Sequence, residues 1–299
     1  MTTIYLDPTF DDETRRRQLF AGDLLLFSSR PTTRALIDHA REMIEEAFAG
    51  RDPETAQFEM DVEAYAALLA DLKPRFIHHP RSKECIRDLL EDLRCDLDRT
   101  YFDVPRMRSS TSDNYLTSGI AYAFHPHRDT WYSAPLAQVN FWIPIYPITA
   151  QNGVAFHPRY FDVHVKNGSR IYDYVEWNKT SRQDAAKHIH ADTRVQPKAE
   201  EEVELDPQIR PVMPPGGILV FSGAQFHSSV PNDSGRTRFS IDFRTVSRDD
   251  LESGRSAPNA DSDCTSTTLG DFLQARDFSV HVPGDLIDRY DVQHEPAAT

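Results

Sequence analysis

The chain has 299 residues, enough to bury a substantial core, and its 39% hydrophobic and 27% charged residues, with a mean hydropathy of −0.56, describe a globular protein. A net charge of −14 with no Lys/Arg-rich run makes nucleic acid and anionic membrane surfaces poor partners, and no apolar run reaches the roughly 18 residues needed to span a bilayer. The N-terminus lacks the basic-then-apolar order of a secretory signal, and Cys85, Cys95 and Cys264 neither pair fully nor show metal-binding spacing, so a reduced, cytoplasmic protein is expected.

The first hundred residues read helical. From Thr33 to Gly50, Leu36, Ile37, Ala40, Met43, Ile44, Ala47 and Phe48 recur at helical spacing, with Gly50 as a C-terminal cap. A second helix is expected from Val62 to Leu72, stopped by Pro74. A third starts at Ser82 as N-cap and places Ile86, Leu89, Leu90, Leu93 and Leu97 on one face, with Cys85 and Cys95 as packing residues. These stripes face a core and carry no chemistry.

Beyond residue 100 the pattern becomes β-rich, at 118–127, 136–146, 217–222 and 236–246. In the second run Val139, Phe141, Ile143 and Ile145 share one face, and Gln138, Asn140 and Trp142 the other. In the last, Phe239, Ile241 and Phe243 oppose Arg236, Arg238, Ser240, Asp242 and Arg244. A polar strand face is either solvated or, in a small barrel, the lining of a cavity; alternation alone leaves both open. Between about Arg159 and Pro215 a long polar stretch, including the acidic run EEEVELD, interrupts the strands and has the character of a lid-like insertion. A tail rich in Ser, Asp, Thr and Gly follows Ser247. No repeat or second domain is visible.

The run HPHRDTWY contains His127-x-Asp129. On an extended strand, residues two apart point to the same side, roughly 7 Å apart, so both can approach one metal. Two histidines and one carboxylate leave coordination positions open, as oxygen-activating non-heme Fe(II) requires. His227, which follows the strand GILVFS, is the candidate third ligand. The spacing alone means little, because His190-Ala-Asp192 repeats it inside a polar segment that reads as a solvated loop. His125 brings no carboxylate and reads as a supporting or structural residue; His157, His78, His79 and His281 read as structural or exposed. Eleven residues after His227 stands Arg238, with Ser240 on the same strand face. A guanidinium there can grip a carboxylate through two charge-assisted hydrogen bonds of roughly 1.5–3 kcal/mol each.

This set resembles the Fe(II)/2-oxoglutarate-dependent dioxygenases, in particular the phytanoyl-CoA-dioxygenase-like branch, over about residues 100–246. The likeness extends to Gln151-Asn-Gly153, to the glycine-rich PPGGILVF and to HSSVPNDSGRTRFS. It implies a double-stranded β-helix (jelly-roll, cupin-like) core within one catalytic domain over 1–299: a helical flank at 1–100, core at 101–158 and 212–247, an insertion or lid at 159–211 and a tail at 248–299. It implies His127, Asp129 and His227 as iron ligands and Arg238 as the partner of the 2-oxoglutarate distal carboxylate, assisted by Ser229. Trp142 and Asn140 would line the cosubstrate pocket, followed by Ser240 and then Thr130 and Trp131. One departure is AFHPRYFD, where the family carries a Pro-Gly-Ser-His run, which concerns the substrate-side loop. Halogenating relatives lack the carboxylate, and Asp129 argues against that chemistry.

The implied reaction consumes 2-oxoglutarate and O2, releases succinate and CO2, and oxidises an unactivated C–H bond of a small molecule by hydroxylation, desaturation or ring closure. Arg236, Asp242, Arg244, Arg106, Arg108 and Asn114 would suit an amino-acid-like substrate or natural-product intermediate. The alternative is a cupin-like metal protein or isomerase that does not use 2-oxoglutarate, which would have no need of Arg238.

Overall fold

The apolar run ending in ILVFS and the alternating run RFSIDFRTVS both become strands, as their periods require. In the computed structural model, which describes residues 2–116, 125–180 and 196–291, the strands are β1 (Ile4–Leu6), β2 (Leu24–Phe27), β3 (Thr100–Phe102), β4 (Arg106–Ser110), β5 (Val139–Pro144), β6 (Val154–Phe156), β7 (Ile218–Ser222), β8 (His227–Ser229), β9 (Arg238–Ser247) and β10 (Leu273–Gln274). Most of the strand expected at 118–127, and the second H-x-D copy at His190 and Asp192, lie outside the described residues.

The larger sheet runs β1-β2-β7-β5-β9-β3-β10, with β4 also paired to β9. Its β1–β2 pair is parallel and its other pairs are antiparallel. In the centre, Asn140 lies opposite Phe221 on one side and Arg244 on the other. β6 and β8 form a second sheet in which Phe156 faces His227.

The two faces of the large sheet do different work. Val139, Phe141, Ile143, Phe239, Ile241 and Phe243 pack with the helices into the main core. Phe141 stacks on Phe243 with centroids 4.6 Å apart, worth about 0.5–1.5 kcal/mol beyond the area buried. On the opposite face Trp142, Leu219 and Phe221 meet Val154 and Phe156 of the small sheet in a second cluster. The polar face is therefore interior: Gln138, Asn140, Arg238 and Ser240 are all buried.

The helical face is built by α1 (Asp12–Phe20), α2 (Pro31–Phe48), α3 (Val62–His78) and α4 (Pro80–Asp92). The α2 stripe is buried apart from half-buried Ala47, and the left-handed turn that ends it takes in Ala49, with φ 51, and the expected Gly50, with φ 88. Three helix boundaries differ from expectation. α3 runs through Pro74 because that residue is exposed and the fully buried Phe76 beyond it holds the last turn in place; a lost backbone bond is outweighed by packing. α4 starts two residues before Ser82, with Pro80 in its first turn and the His79 ring accepting from the Arg81 amide at 3.1 Å. Ser82 is a buried residue bonded to His39. The helix ends at Asp92, so Cys95 and Leu97 lie beyond it.

The N-terminal flank is less purely helical than its periodicity suggests, since it supplies β1 and β2. An unbroken LLLF is too short for period to distinguish strand from helix. The insertion carries α5 (Tyr174–Thr180), and single bridges pair Asn167 with Ala199 and Phe156 with Ile209. The tail is docked: after α6 (Arg248–Ser253), β10 pairs with β3, and α7 (Gly284–Tyr290) buries Leu286.

Candidate metal centre

His127 and His227 are brought together by main chain. Each amide donates to the other residue's carbonyl at 2.9 Å, and this bridge leaves the two rings 4.4 Å apart, centroid to centroid. Asp129 opens a short 3-10 turn, Asp129–Tyr132, and its amide donates to the Gly223 carbonyl at 3.0 Å. Its Oδ1 lies 3.5 Å from His127 Nε2 and 3.9 Å from His227 Nε2. One ligand atom from each of the three lies within 4.8 Å of the others.

The remaining polar atoms of these groups are already engaged. His127 Nδ1 donates to the His125 carbonyl at 2.7 Å and His227 Nδ1 to the Gln225 carbonyl at 2.9 Å. A carbonyl only accepts, so each Nε2 presents its lone pair to the shared space. Asp129 Oδ2 accepts from Asn140 Nδ2 at 2.8 Å and Gln138 Nε2 at 3.1 Å, with Arg244 Nε 3.7 Å away. Burial alone would raise the Asp129 carboxyl. The positive charge of Arg244 beside it outweighs burial and holds the acid below its usual range. Burial, then the neighbouring His127, pushes His227 down to about 4, leaving the neutral imidazole that metals bind.

Along β9 from this cluster, the Arg238 guanidinium lies 5.7 Å from the Trp142 ring centroid. Its Nη1 makes only long bonds, at 3.3 and 3.4 Å, to the carbonyls of Asn152 and Gly153. Among the described residues, Arg238 Nε and Ser240 Oγ are buried without a hydrogen-bond partner. Each such orphan costs about 1–3 kcal/mol until an acceptor arrives. Burial pushes the Arg238 pKa down to about 10, which still leaves it charged at neutral pH.

The family model for phytanoyl-CoA dioxygenase (PhyH) matches residues 21–240, well over half of the chain. The chain belongs to the phytanoyl-CoA dioxygenase family. As such it is an Fe(II)/2-oxoglutarate-dependent dioxygenase, using iron, 2-oxoglutarate and O2. Similar solved structures include EvdO2 from Micromonospora carbonacea var. aurantiaca complexed with 2-oxoglutarate (13% identity, 80% of this chain and 92% of that one, TM-score 0.46). Others are the non-heme α-ketoglutarate-dependent epimerase SnoN from nogalamycin biosynthesis (11%, 79% and 84%, 0.37) and AviO1 from Streptomyces viridochromogenes Tue57 (12%, 85% and 100%, 0.39). No curated protein matches. Membership of the phytanoyl-CoA dioxygenase family sets aside the cupin-like alternative that does without 2-oxoglutarate.

Against that family frame, the other expected residues divide. Asn140 touches the carboxylate of Asp129 instead of standing free in a pocket. Ser229 lies half-buried on β8 opposite Val154, and His125 contributes its carbonyl while its ring bonds the Pro197 carbonyl at 3.1 Å. Thr130 and Trp131 are buried, and Trp131 donates its indole N–H to Asp261 at 2.7 Å. Of the substrate-side candidates, Arg108 pairs with Asp242 at 2.6 Å and Arg106 with Asp103; Arg244 bridges Asp103 and Asp242. Arg236 and Asn114 are not in the site. Arg236 is half exposed and pairs with Glu54 before β9 begins, and Asn114 sits in an exposed turn with φ 57. Gln138 is the residue that sequence reasoning left without a role. Its place two before Asn140 on the same strand face was the available signal.

The glycine and asparagine signatures find local causes. Gly216, with φ 76, could take a Cβ only 2.8 Å from Ser29 Oγ. Asn152 Oδ1 closes its own turn by accepting from the Thr149 amide at 2.8 Å. Asn232 Nδ2 donates to the Ser110 and Arg236 carbonyls, both at 2.8 Å, which fixes the loop leading to Arg238.

Proposed function

We propose that this oxygenase oxidises an unactivated C–H bond of a small, amino-acid-like molecule or natural-product intermediate, by hydroxylation, desaturation or ring closure, with His127, Asp129 and His227 holding iron. The observation that carries the reading is the pair of buried, partnerless polar atoms on Arg238 and Ser240, on the strand that borders three converging ligand atoms. A dicarboxylate gripped at its far end by Arg238, with Ser240 and Ser229 beside it, satisfies those donors. Trp142 packs against the guanidinium and keeps water from it.

When bound, iron and 2-oxoglutarate would let O2 act as the oxidant, two electrons coming from the decarboxylation of 2-oxoglutarate to succinate and CO2 and two from the substrate, chemistry that no side chain provides. The protein's own work is to position and to exclude water. Gln138 and Asn140 orient Asp129, and the two main-chain carbonyls orient the imidazoles. A substrate carrying both an ammonium and a carboxylate suits a wall on which Arg108, Asp242 and Arg244 alternate in charge. The jelly-roll reading is supported by the small sheet packing over the inner face of the large one. A single catalytic domain over 1–299 is supported by the tail strand that joins the same sheet as the N-terminal strands.

We assign residues 159–211 as a lid. Pro197 accepts from Tyr132 at 3.2 Å, and Leu205 bonds His157 at 2.9 Å, so the returning arm crosses the metal turn. Gly168 N donates to the Lys198 carbonyl at 3.1 Å, which brings the ends of the intervening segment together. Excising residues 171–196 should uncouple 2-oxoglutarate consumption from product formation. Unchanged coupling removes the lid assignment. The central test is succinate release dependent on Fe(II), ascorbate and 2-oxoglutarate during a screen of amino acids and related carboxylates, with products identified by mass spectrometry. His227→Ala should abolish it; turnover surviving that change overturns the ligand set.

A further inference from the structure

Arg128 stands between two of the three metal-site residues, yet its own side chain serves neither metal nor substrate. It is 1% exposed and extends to the opposite side of the turn, as its place between His127 and Asp129 requires. Its partners are Asp261 Oδ2 from Nε at 3.0 Å, the Ala224 and Phe161 carbonyls from Nη1 at 2.6 and 3.3 Å, and the Val163 and Tyr160 carbonyls from Nη2, the former at 2.9 Å. All five N–H groups of the guanidinium are thus used. The Phe226 ring lies 5.5 Å from it.

These partners come from three remote parts of the chain. Ala224 belongs to the turn whose neighbours do the positioning: the Gly223 carbonyl holds the Asp129 amide, and the Gln225 carbonyl holds His227 Nδ1. Residues 160–163 are the start of the insertion. Asp261 lies in the C-terminal tail and is fully buried in its side chain. Its Oδ1 accepts from Trp131 Nε1 at 2.7 Å, its Oδ2 also from the Val165 amide at 3.1 Å, and next to it Ser262 Oγ donates to the Thr130 carbonyl at 2.6 Å. Burying an ion pair costs several kcal/mol per charge, and an apolar pair of equal volume would often be as stable. A site that needed only filling has no use for five directed bonds. A site that must hold two loops in one register does.

We propose that Arg128, paired with Asp261, is a positioning residue. It fixes His127 and Asp129 relative to His227 through the 223–225 turn, and it makes the C-terminal segment around Asp261 and the stem of the insertion part of the metal site's support. The inference rests on the assignment of His127, Asp129 and His227 as the ligands. An Arg128→Lys side chain keeps the charge but not the fork.

The test is Co(II) binding to the full-length apoprotein, followed by calorimetry and visible absorption. The double variant Arg128→Met/Asp261→Leu leaves no lone buried charge. It should fold by circular dichroism and bind Co(II) about 10–100-fold more weakly, and Arg128→Lys should weaken binding as well. Wild-type affinity in the folded double variant overturns the proposal. Should that variant not fold, hydrogen exchange of the unmodified protein decides. Co(II) should slow exchange at the Val165 and Asp261 amides, which do not touch the ion, because coupling is reciprocal; exchange there that ignores Co(II) overturns the proposal. Co(II) bound equally well after His227→Ala overturns instead the ligand assignment beneath it.

Discussion

Phe239, Ile241 and Phe243 on one face of β9 are fully buried against the helices, while Arg238, Ser240, Asp242 and Arg244 share the other face, where Arg244 comes within 3.7 Å of Asp129. The backbone is common to both, and alternation separates them completely. The apolar face converts burial into stability at roughly 25 cal/mol per Å². The polar face does the reverse at Arg238, a buried charge whose Nε has no hydrogen-bond partner among the described residues, in keeping with the proposed grip on a carboxylate. Within one strand, stability and function are thus segregated by side.

The sharpest break of that comparison is Arg238→Met. On the proposed role it removes two charge-assisted bonds to the cosubstrate, so the 2-oxoglutarate requirement should rise on the order of 10²–10⁴-fold, while Co(II) binding stays near wild type. Thermal stability without ligand should hold or rise, because an under-partnered buried charge is gone. A lower melting temperature with unaltered 2-oxoglutarate dependence would contradict both halves. The opposite face gives the mirror result: Phe243→Ala should cost about 3–5 kcal/mol in urea unfolding, with the Co(II) affinity of the folded fraction unchanged. A large loss of metal affinity there would show that the faces are not independent.

Acid reaches both sides, through His227 near the metal cluster and through His39 on the helical side. His39 is buried between Ser82, Phe76 and His79, and burial, followed by the charges of His79 and Arg81, pushes it down to about 4. The unfolded chain takes up this proton near pH 6.5 and the folded chain only near 4. Stability is therefore lost as pH falls through that window, by up to roughly 3 kcal/mol. Unfolding measured at pH 7 and pH 4.5 should show a smaller difference in His39→Gln than in wild type; equal differences would exclude His39 as the source. The smallest effect is expected at Gly216→Ala, about 1–2 kcal/mol, from its positive φ and the contact with Ser29, readable as a small drop in melting temperature with unchanged activity.

How much of this was legible in sequence depends on the range of the cause. The division of β5 and β9 into two faces follows from a period of two and needs no tertiary information. The trio His127, Asp129 and His227, with Arg238, was legible because two local spacings and one strand boundary carry it. α1 was not, because DETRRRQLF has no apolar stripe. It forms on an Asp11 cap, with Arg15 donating to the Leu93 carbonyl at 2.9 Å and Arg16 paired to Asp250 at 2.5 Å, contacts across the chain that no window contains. Arg236 and Arg238 share parity and residue type, and only the strand's start at Arg238 separates a surface ion pair from the site. The Arg128–Asp261 pair spans 133 residues and joins a motif to a tail of unremarkable composition.

β9 occupies the middle of the large sheet although it is the ninth of the ten strands among the described residues to be synthesised, and β3, β4 and β5 all pair with it. On the ribosome, the earlier strands therefore wait for their central partner with edges unpaired, and the sheet closes only after residue 247 has emerged. His127 and Asp129 are made well before that moment, and Asp261 after it. From residue 129 until residue 261 has been added, the nascent chain carries both side chains without the frame that aims them, so on the proposed ligand set iron loading follows synthesis of the tail.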